Sequence, residues 1–111
     1  MQQPENTLPY PLEQMLKHHS ATLAKTDYSN LSRWRTYSKQ HIQKLLHHNQ
    51  QLTQKRNTSY SIIELQLTNE MLSICNTAII FNERFLQLIT EEIDRRADMI
   101  PMELILKQVA Q

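Results

Sequence analysis

Five histidines are the side chains best suited to metal or acid–base chemistry in this 111-residue chain. His18 and His19 are adjacent, as are His47 and His48, and adjacent residues point about 100° apart on a helix. His41 and His48 are two turns apart, roughly 10 Å along a helix axis. A helical zinc site uses histidines four residues apart, and the chain has a single cysteine to add as a ligand. The sequence therefore predicts no metal site and no cofactor.

Arg35 and His41 are the pair that most suggests catalysis, because they form an Arg-x5-His sequence. This resembles the short motif of HEPN ribonucleases, small helical domains in which such an Arg and His act together at a dimer-related RNA cleavage site. The resemblance implies that His41 is the general acid or base and that Arg35 binds the scissile phosphate. It covers two residues of the chain. No Ser/His/Asp arrangement and no catalytic carboxylate pair is predicted, so we expect a non-enzymatic protein and keep the HEPN-like ribonuclease as an alternative.

Charge is divided unevenly along the chain. Residues 17–56 contain eight basic and one acidic side chain, whereas residues 57–111 contain four basic and eight acidic ones. Cations mixed with aromatic rings can neutralise phosphates and stack on bases. The candidate nucleic-acid-binding residues are Arg33, Trp34, Arg35, Lys39, Lys44, Lys55 and Arg56. The alternative, which we favour, is that this basic segment pairs with the acidic half and sets the register of two antiparallel helices.

The chain contains no glycine. Phosphate-cradling loops, dinucleotide fingerprints and tight hairpin turns depend on glycine, so these sites are not expected. No apolar run is long enough to span a membrane, and no signal peptide is evident, which predicts a cytoplasmic protein. Cys75 lies among apolar residues and is expected to be a buried thiol. What these features indicate is a small helical protein whose function is binding.

Helical periodicity predicts an all-α bundle. Residues 1–10 are expected to be a flexible tail and residues 11–111 a single helical domain. The predicted helices are 11–25, 30–55 and 61–99, with helices 2 and 3 forming a long hairpin, and a short fourth helix at 101–109 after Pro101. Ser61 and Glu64 have the form of a capping box, with Tyr60 and Leu65 at the positions of a hydrophobic staple. A bent continuous helix over 30–99 is the alternative.

Helix 3 has two lines of apolar residues, each repeating every seven positions. The first line is Leu65, Leu72, Ile79, Leu86, Ile93 and Ile100, and the second is Leu67, Ile74, Phe81 and Leu88. Together they cover roughly 160° of the helix, wider than a two-stranded coiled-coil seam. Helix 3 must therefore contact more than one neighbour, and a two-fold homodimer is expected to complete its core.

These features favour a helical adaptor, chaperone or regulatory protein that binds a helical segment of a protein partner. The partner helix is expected to lie in an apolar groove along helix 3. The candidate partner-binding residues are Leu67, Ile74, Phe81, Phe85 and Leu88. A nucleic-acid-binding regulator that uses residues 33–56 is the main alternative.

Overall fold

A computed structural model describes the backbone of residues 8–110 and the side chains of residues 8–98. The described backbone forms three helices and no strand: α1 (Tyr10–Leu23), α2 (Tyr28–Thr58) and α3 (Ile62–Ala110). α2 and α3 pack along each other as a hairpin, and α1 packs on α3. The predicted all-α bundle with a long helix 2/helix 3 hairpin is confirmed. Of the segment predicted to be a tail, residues 1–7 lie outside the described residues, whereas Leu8 is buried.

α1 begins directly after its N-cap residue, Pro9, and ends without a glycine. The Pro9 carbonyl accepts hydrogen bonds from the backbone N–H groups of Leu12 (3.0 Å) and Glu13 (3.1 Å). At the other end, the Arg96 guanidinium of α3 donates to the carbonyl oxygens of Leu23 (3.1 Å) and Ala24 (3.3 Å). The last carbonyls of a helix have no partner within it. The Leu23 carbonyl also accepts from the Thr26 backbone N–H (3.1 Å), so the arginine of α3 adds side-chain hydrogen bonds at an end that backbone N–H groups already close in part.

α2 is longer at both ends than predicted. It begins at Tyr28 rather than at residue 30, with Asp27 as its N-cap residue. The Asp27 carboxylate makes no cap bond to the backbone and instead accepts a 2.7 Å hydrogen bond from the Asn30 side-chain amide. At the C-terminal end, the hydroxyls of Thr58 and Ser59 donate to the Lys55 carbonyl (3.3 and 2.7 Å). These bonds to a last-turn carbonyl accompany the extension to Thr58.

A three-residue break separates α2 from α3, so the alternative of one continuous helix is wrong. Ser61 caps α3 as predicted: its hydroxyl accepts a long hydrogen bond from the Glu64 N–H (3.4 Å), and its carbonyl accepts one from Leu65 (3.0 Å). The predicted hydrophobic staple is not formed. Tyr60, in the turn between α2 and α3, is 99% exposed, so its side chain points into solvent and does not pack against Leu65.

The predicted break at Pro101 is wrong, since α3 runs as one helix from Ile62 to Ala110. Proline removes one backbone hydrogen bond and crowds the preceding turn, which bends a helix without necessarily ending it. The residues that follow, Met-Glu-Leu-Ile-Leu-Lys, include strong helix formers, and they favour continuation of the helix. The predicted helix 101–109 is therefore the last part of α3.

Two apolar clusters hold the hairpin together. The first joins the three helices through Leu23, Leu31, Ile89 and Ile93, and the second joins α2 to α3 through Leu52, Leu72, Cys75 and Ile79. Cys75 is buried as predicted, and its thiol donates to the Leu45 carbonyl (3.4 Å). Leu72, Ile79 and Ile93 of the first heptad line of α3 lie in these clusters with residues of α2.

Direct ion pairs do not set the register of the hairpin. Among the described side chains, the ion pairs lie between α1 and α3 or within α3, and none joins α2 to α3. A 2.6 Å hydrogen bond from the Asn49 side-chain amide to Asn76 crosses the hairpin, in addition to the bond from the Cys75 thiol to the Leu45 carbonyl. Apolar layers and these hydrogen bonds therefore fix the pairing that opposite charges were expected to direct.

Candidate partner-binding surface

α1 covers only part of α3. Its contacts follow the same order along both helices: Glu13 pairs with Arg84, the His19 ring meets Phe85 edge-on at 5.2 Å, and the Leu23 carbonyl accepts from Arg96 at 3.1 Å. α1 is therefore parallel to α3 and begins near its middle. The part of α3 that precedes this point packs on α2, and within residues 8–98 no second helix lies over it.

The Glu13–Arg84 ion pair anchors the first turn of α1. Its hydrogen bond from the Arg84 guanidinium holds the pKa of Glu13 below the usual value for a glutamate, and the Leu8 backbone N–H acts in the same direction. Both side chains are only partly exposed. The ion pair joins the first turn of α1 to the middle of α3, at the end of the part of α3 that α1 leaves uncovered.

An exposed apolar stripe follows this uncovered half. It consists of Ile63 (69% exposed), Leu67 (55%), Met71 (45%) and Ile74 (71%), which we call the α3 stripe. Spacings of three and four residues place all four on one helical face, over about 16 Å of axis. Helical periodicity continues the same face into the part that α1 covers, where Leu88 and Leu16 of α1 line one depression. The α3 stripe is thus the open extension of a helix-binding face.

The structure divides the five residues predicted to bind a partner. Leu67 and Ile74 are exposed on the α3 stripe, and Phe81 is half-buried at its end. Phe85 and Leu88 are half-buried and pack against the cluster that joins the three helices. Ile63 and Met71 were not among the predicted residues. Their spacing of four residues on either side of Leu67 is the sequence signal that would have found them.

A depression of about 400 Å³ lies where the α3 stripe meets the start of α1. Ile74, Ala78 and Phe81 of α3 line it, together with Leu12 of α1. Apolar depressions of this size accept a large side chain from a partner. The α3 stripe therefore ends in a pocket beside α1.

The two edges of the α3 stripe have opposite charge. Lys44 and Lys55 are exposed on α2, about two and five turns after Tyr37, and so share its side of the helix. Tyr37 lines a cavity with residues of α1, so this is the side of α2 that α1 approaches. Glu70 is exposed on α3, and the helical wheel places it at the edge of the stripe away from α2. A partner on the stripe therefore meets lysines on one edge and a glutamate on the other.

The predicted nucleic-acid-binding residues do not form one basic face. Arg33, Lys44 and Lys55 follow the Tyr37 side of α2, whereas Arg35 and Lys39 lie about 160° away from Tyr37 around the axis. Of the others, Arg56 is exposed in the last turn of α2, and Trp34 packs against the cluster that joins the three helices. Successive cations of the line 33, 44 and 55 are about 16 Å apart. The basic residues of α2 are therefore dispersed over two sides.

Arg35 and His41 are likewise separated. They lie about 120° apart around α2, on either side of the line of buried residues that faces α3. Arg35 is half-buried and His41 is exposed. One chain does not bring the two side chains together. The described residues contain no group of three potential metal ligands and no helix long and apolar enough to cross a membrane.

Comparison of the chain with protein-family models, with curated proteins and with solved structures finds no match. No family function can therefore be transferred to it, and the geometry of its own surfaces must indicate what it binds.

Proposed function

We propose that this chain is a non-enzymatic helical adaptor that binds an amphipathic helix of a protein partner along the α3 stripe. The observation that supports this proposal is the exposure of four large apolar side chains in line on one helix, beside a face that already holds α1. Contiguous exposed apolar surface on a small protein is typical of an interaction site.

The proposed occupant is a helix because α1 binds the same face in that form. α1 presents Leu12, Leu16 and Leu23 toward α3, of which the last two are buried. The face therefore accepts a parallel helix whose apolar residues recur every three or four positions. A partner helix on the stripe would continue the line of α1, and a large side chain near its end would fill the depression beside Phe81 and Leu12.

Charge defines the partner further. Lys44 and Lys55 favour acidic side chains on the edge of the partner helix that faces α2, and Glu70 favours a basic side chain on the other edge. Charges at the rim of an interface chiefly set association rate and orientation. The preferred partner is thus an amphipathic helix with one acidic edge, bound in one of the two possible directions.

The stripe alone is too small to hold a partner tightly. Fully burying a large aliphatic side chain is worth about 1.5–3 kcal/mol, so four side chains that are still about half exposed contribute roughly 3–6 kcal/mol. Association itself costs about 4 kcal/mol or more. We therefore expect the partner to contact the depression at Phe81 and the adjacent side of α2 as well.

We propose that the free protein pairs weakly with a second copy through the same stripe. Two stripes packed antiparallel bury apolar surface from both chains, but they bring the two Glu70 side chains close to the axis. Repulsion between these two like charges weakens the pair. A partner helix with an acidic edge would then displace the second copy.

The test uses two synthetic amphipathic peptides with the same apolar stripe, one with an acidic edge and one with a basic edge. Their binding is measured by fluorescence anisotropy to the wild type, to Leu67→Ser/Ile74→Ser and to Leu46→Ser. Leu46 is a matched control because it is 50% exposed on α2, away from the stripe. We expect the acidic-edge peptide to bind more tightly and the double variant to lose at least tenfold in affinity.

Nucleic-acid binding is the outcome that would overturn this proposal. Two results together would favour the electrostatic alternative. The folded double variant would bind a duplex oligonucleotide as well as the wild type does, and charge reversal at Arg33, Lys44 and Lys55 would abolish that binding. Phosphate binding would also weaken steeply as salt rises, whereas apolar helix binding changes little. Sedimentation of the free protein separately tests whether a second copy of the chain binds to the α3 stripe.

A further inference from the structure

An aromatic cavity that is open to solvent lies where the three helices meet, at the other end of α1 from its junction with the α3 stripe. Its volume is about 380 Å³, at the lower end of the range of small-molecule sites. The lining includes His19 and Thr22 of α1, Trp34, Tyr37 and Ser38 of α2, and Phe85 of α3. The cavity is therefore built from all three helices of the bundle and is separate from the surface proposed to bind a partner.

Ser38 opens this cavity. It lies between Leu31 and Ile42 on the buried line of α2, at a position where a large apolar side chain would fill the space against α3. Its side chain is small, and only 8% of the residue is exposed. Its hydroxyl makes no hydrogen bond to any described residue, and it lines the cavity. No buried side-chain nitrogen or oxygen of the described residues lacks a hydrogen-bond partner, so the Ser38 hydroxyl oxygen is accessible from the cavity. A ligand atom in the cavity can therefore hydrogen-bond to it.

The walls of the cavity are rings. The His19 and Phe85 rings meet edge-to-face, with centroids 5.2 Å apart and an interplanar angle of 67°. Trp34 and Phe85 are held by the buried cluster beneath them. Tyr37 is more exposed and stands at the cavity's outer part. Aromatic rings prefer stacked or edge-on contact with other rings, which favours a planar ligand. No Lys, Arg, Asp or Glu lines the cavity, so a neutral ring is favoured.

We propose that this cavity binds a neutral aromatic small molecule of one or two rings, with one substituent that hydrogen-bonds to the Ser38 hydroxyl. Trp34, Tyr37 and Phe85 contact the faces and edges of its ring system. This site goes beyond the proposed function and does not depend on it, because no residue of the α3 stripe lines the cavity.

The single tryptophan of the chain makes the site directly observable. In ¹⁵N-labelled protein, the only indole N–H signal belongs to Trp34. The probe is 2-naphthol, a two-ring aromatic with one hydroxyl, and its matched control is decahydro-2-naphthol, which keeps the hydroxyl and loses the aromatic rings. We expect a saturable shift of the Trp34 signal with 2-naphthol, and at least tenfold weaker binding of the saturated compound.

Three variants locate the binding. Ser38→Leu fills the cavity, so it should keep the helices and abolish the shift. Tyr37→Ala removes one wall and should weaken the binding of 2-naphthol about tenfold, because one aromatic contact and its buried area are lost. Tyr28→Ala is the matched control, because Tyr28 is 52% exposed on the same helix and does not line the cavity.

Any one of three results would overturn the proposal. The first is equal binding of 2-naphthol and its saturated control, which would show an unspecific apolar depression. The second is unchanged 2-naphthol affinity in folded Ser38→Leu, and the third is an equal loss of affinity in Tyr37→Ala and Tyr28→Ala. If Ser38→Leu fails to fold, the comparison of the two tyrosine variants decides.

Discussion

Replacement of Arg96 by methionine tests what fastens α1 to α3. Arg96 donates to the Leu23 and Ala24 carbonyls at 3.1 and 3.3 Å and lies 3.6 Å from the buried Glu92 carboxylate. Methionine keeps the apolar stem and removes these bonds. Hydrogen bonds to a charged group are worth about 1.5–3 kcal/mol. Because Glu92 keeps a second partner, Arg95, at 2.7 Å, we expect a loss near the middle of that range, about 2 kcal/mol.

Urea and thermal denaturation followed by circular dichroism measure this loss. For a domain of this size, about 2 kcal/mol corresponds to a fall in Tm of roughly 10 °C. Hydrogen exchange should also show faster exchange at the backbone amides of α1 than in α2. Arg33→Met is the matched control: Arg33 is exposed and makes no ion pair with a described residue, so its variant should stay within about 0.5 kcal/mol of the wild type. If Arg96→Met is as stable as this control, Arg96 does not hold α1.

Three further outcomes are expected. Glu13→Gln should be less stable than the wild type near neutral pH, and acid denaturation should show the difference in stability shrinking below about pH 4.3. The reason is that the pKa of Glu13 is lower in the folded than in the unfolded protein, which stabilises the fold above the ordinary glutamate pKa. This stabilisation is lost as the pH falls through the lower pKa of the folded state. Ile89→Ala should cost about 2–5 kcal/mol in urea denaturation, because Ile89 is fully buried in the cluster that joins the three helices; a loss below 1 kcal/mol would contradict that packing. Purified protein should not cleave RNA, and cleavage that disappears in folded His41→Ala would make the HEPN-like alternative correct.

Helix boundaries were predictable where local side chains decide them. The spacing of apolar residues gave the three helices, and Ser61 marked the start of α3 because a hydroxyl just before a helix satisfies a free N–H. The exposed Tyr60 shows the limit of such local patterns. A hydrophobic staple needs the turn to point two side chains at each other, and that direction is set by how α2 and α3 pack.

The division of α3 between α2 and α1 could not be read from its periodicity. Both heptad lines are apolar, but only the line through Leu72 and Ile79 faces α2. The other line is covered by α1 at Leu88 and open at Ile74, because α1 is short and parallel to α3. Neither the direction of α1 nor its cap by Arg96 follows from local sequence, since both depend on contacts between residues more than 70 positions apart.

Methyl NMR of the isoleucines tests the central claim most directly. With δ1-labelled isoleucine and the acidic-edge amphipathic peptide, the signals of Ile63 and Ile74 should shift with the same saturable dependence on peptide concentration. Those of the buried Ile89 and Ile93 should move little, since they pack beneath α1. The same titration of Leu46→Ser should reproduce the wild-type result. Saturable binding that leaves Ile63 and Ile74 unshifted would contradict the proposal that the α3 stripe is the partner-binding surface.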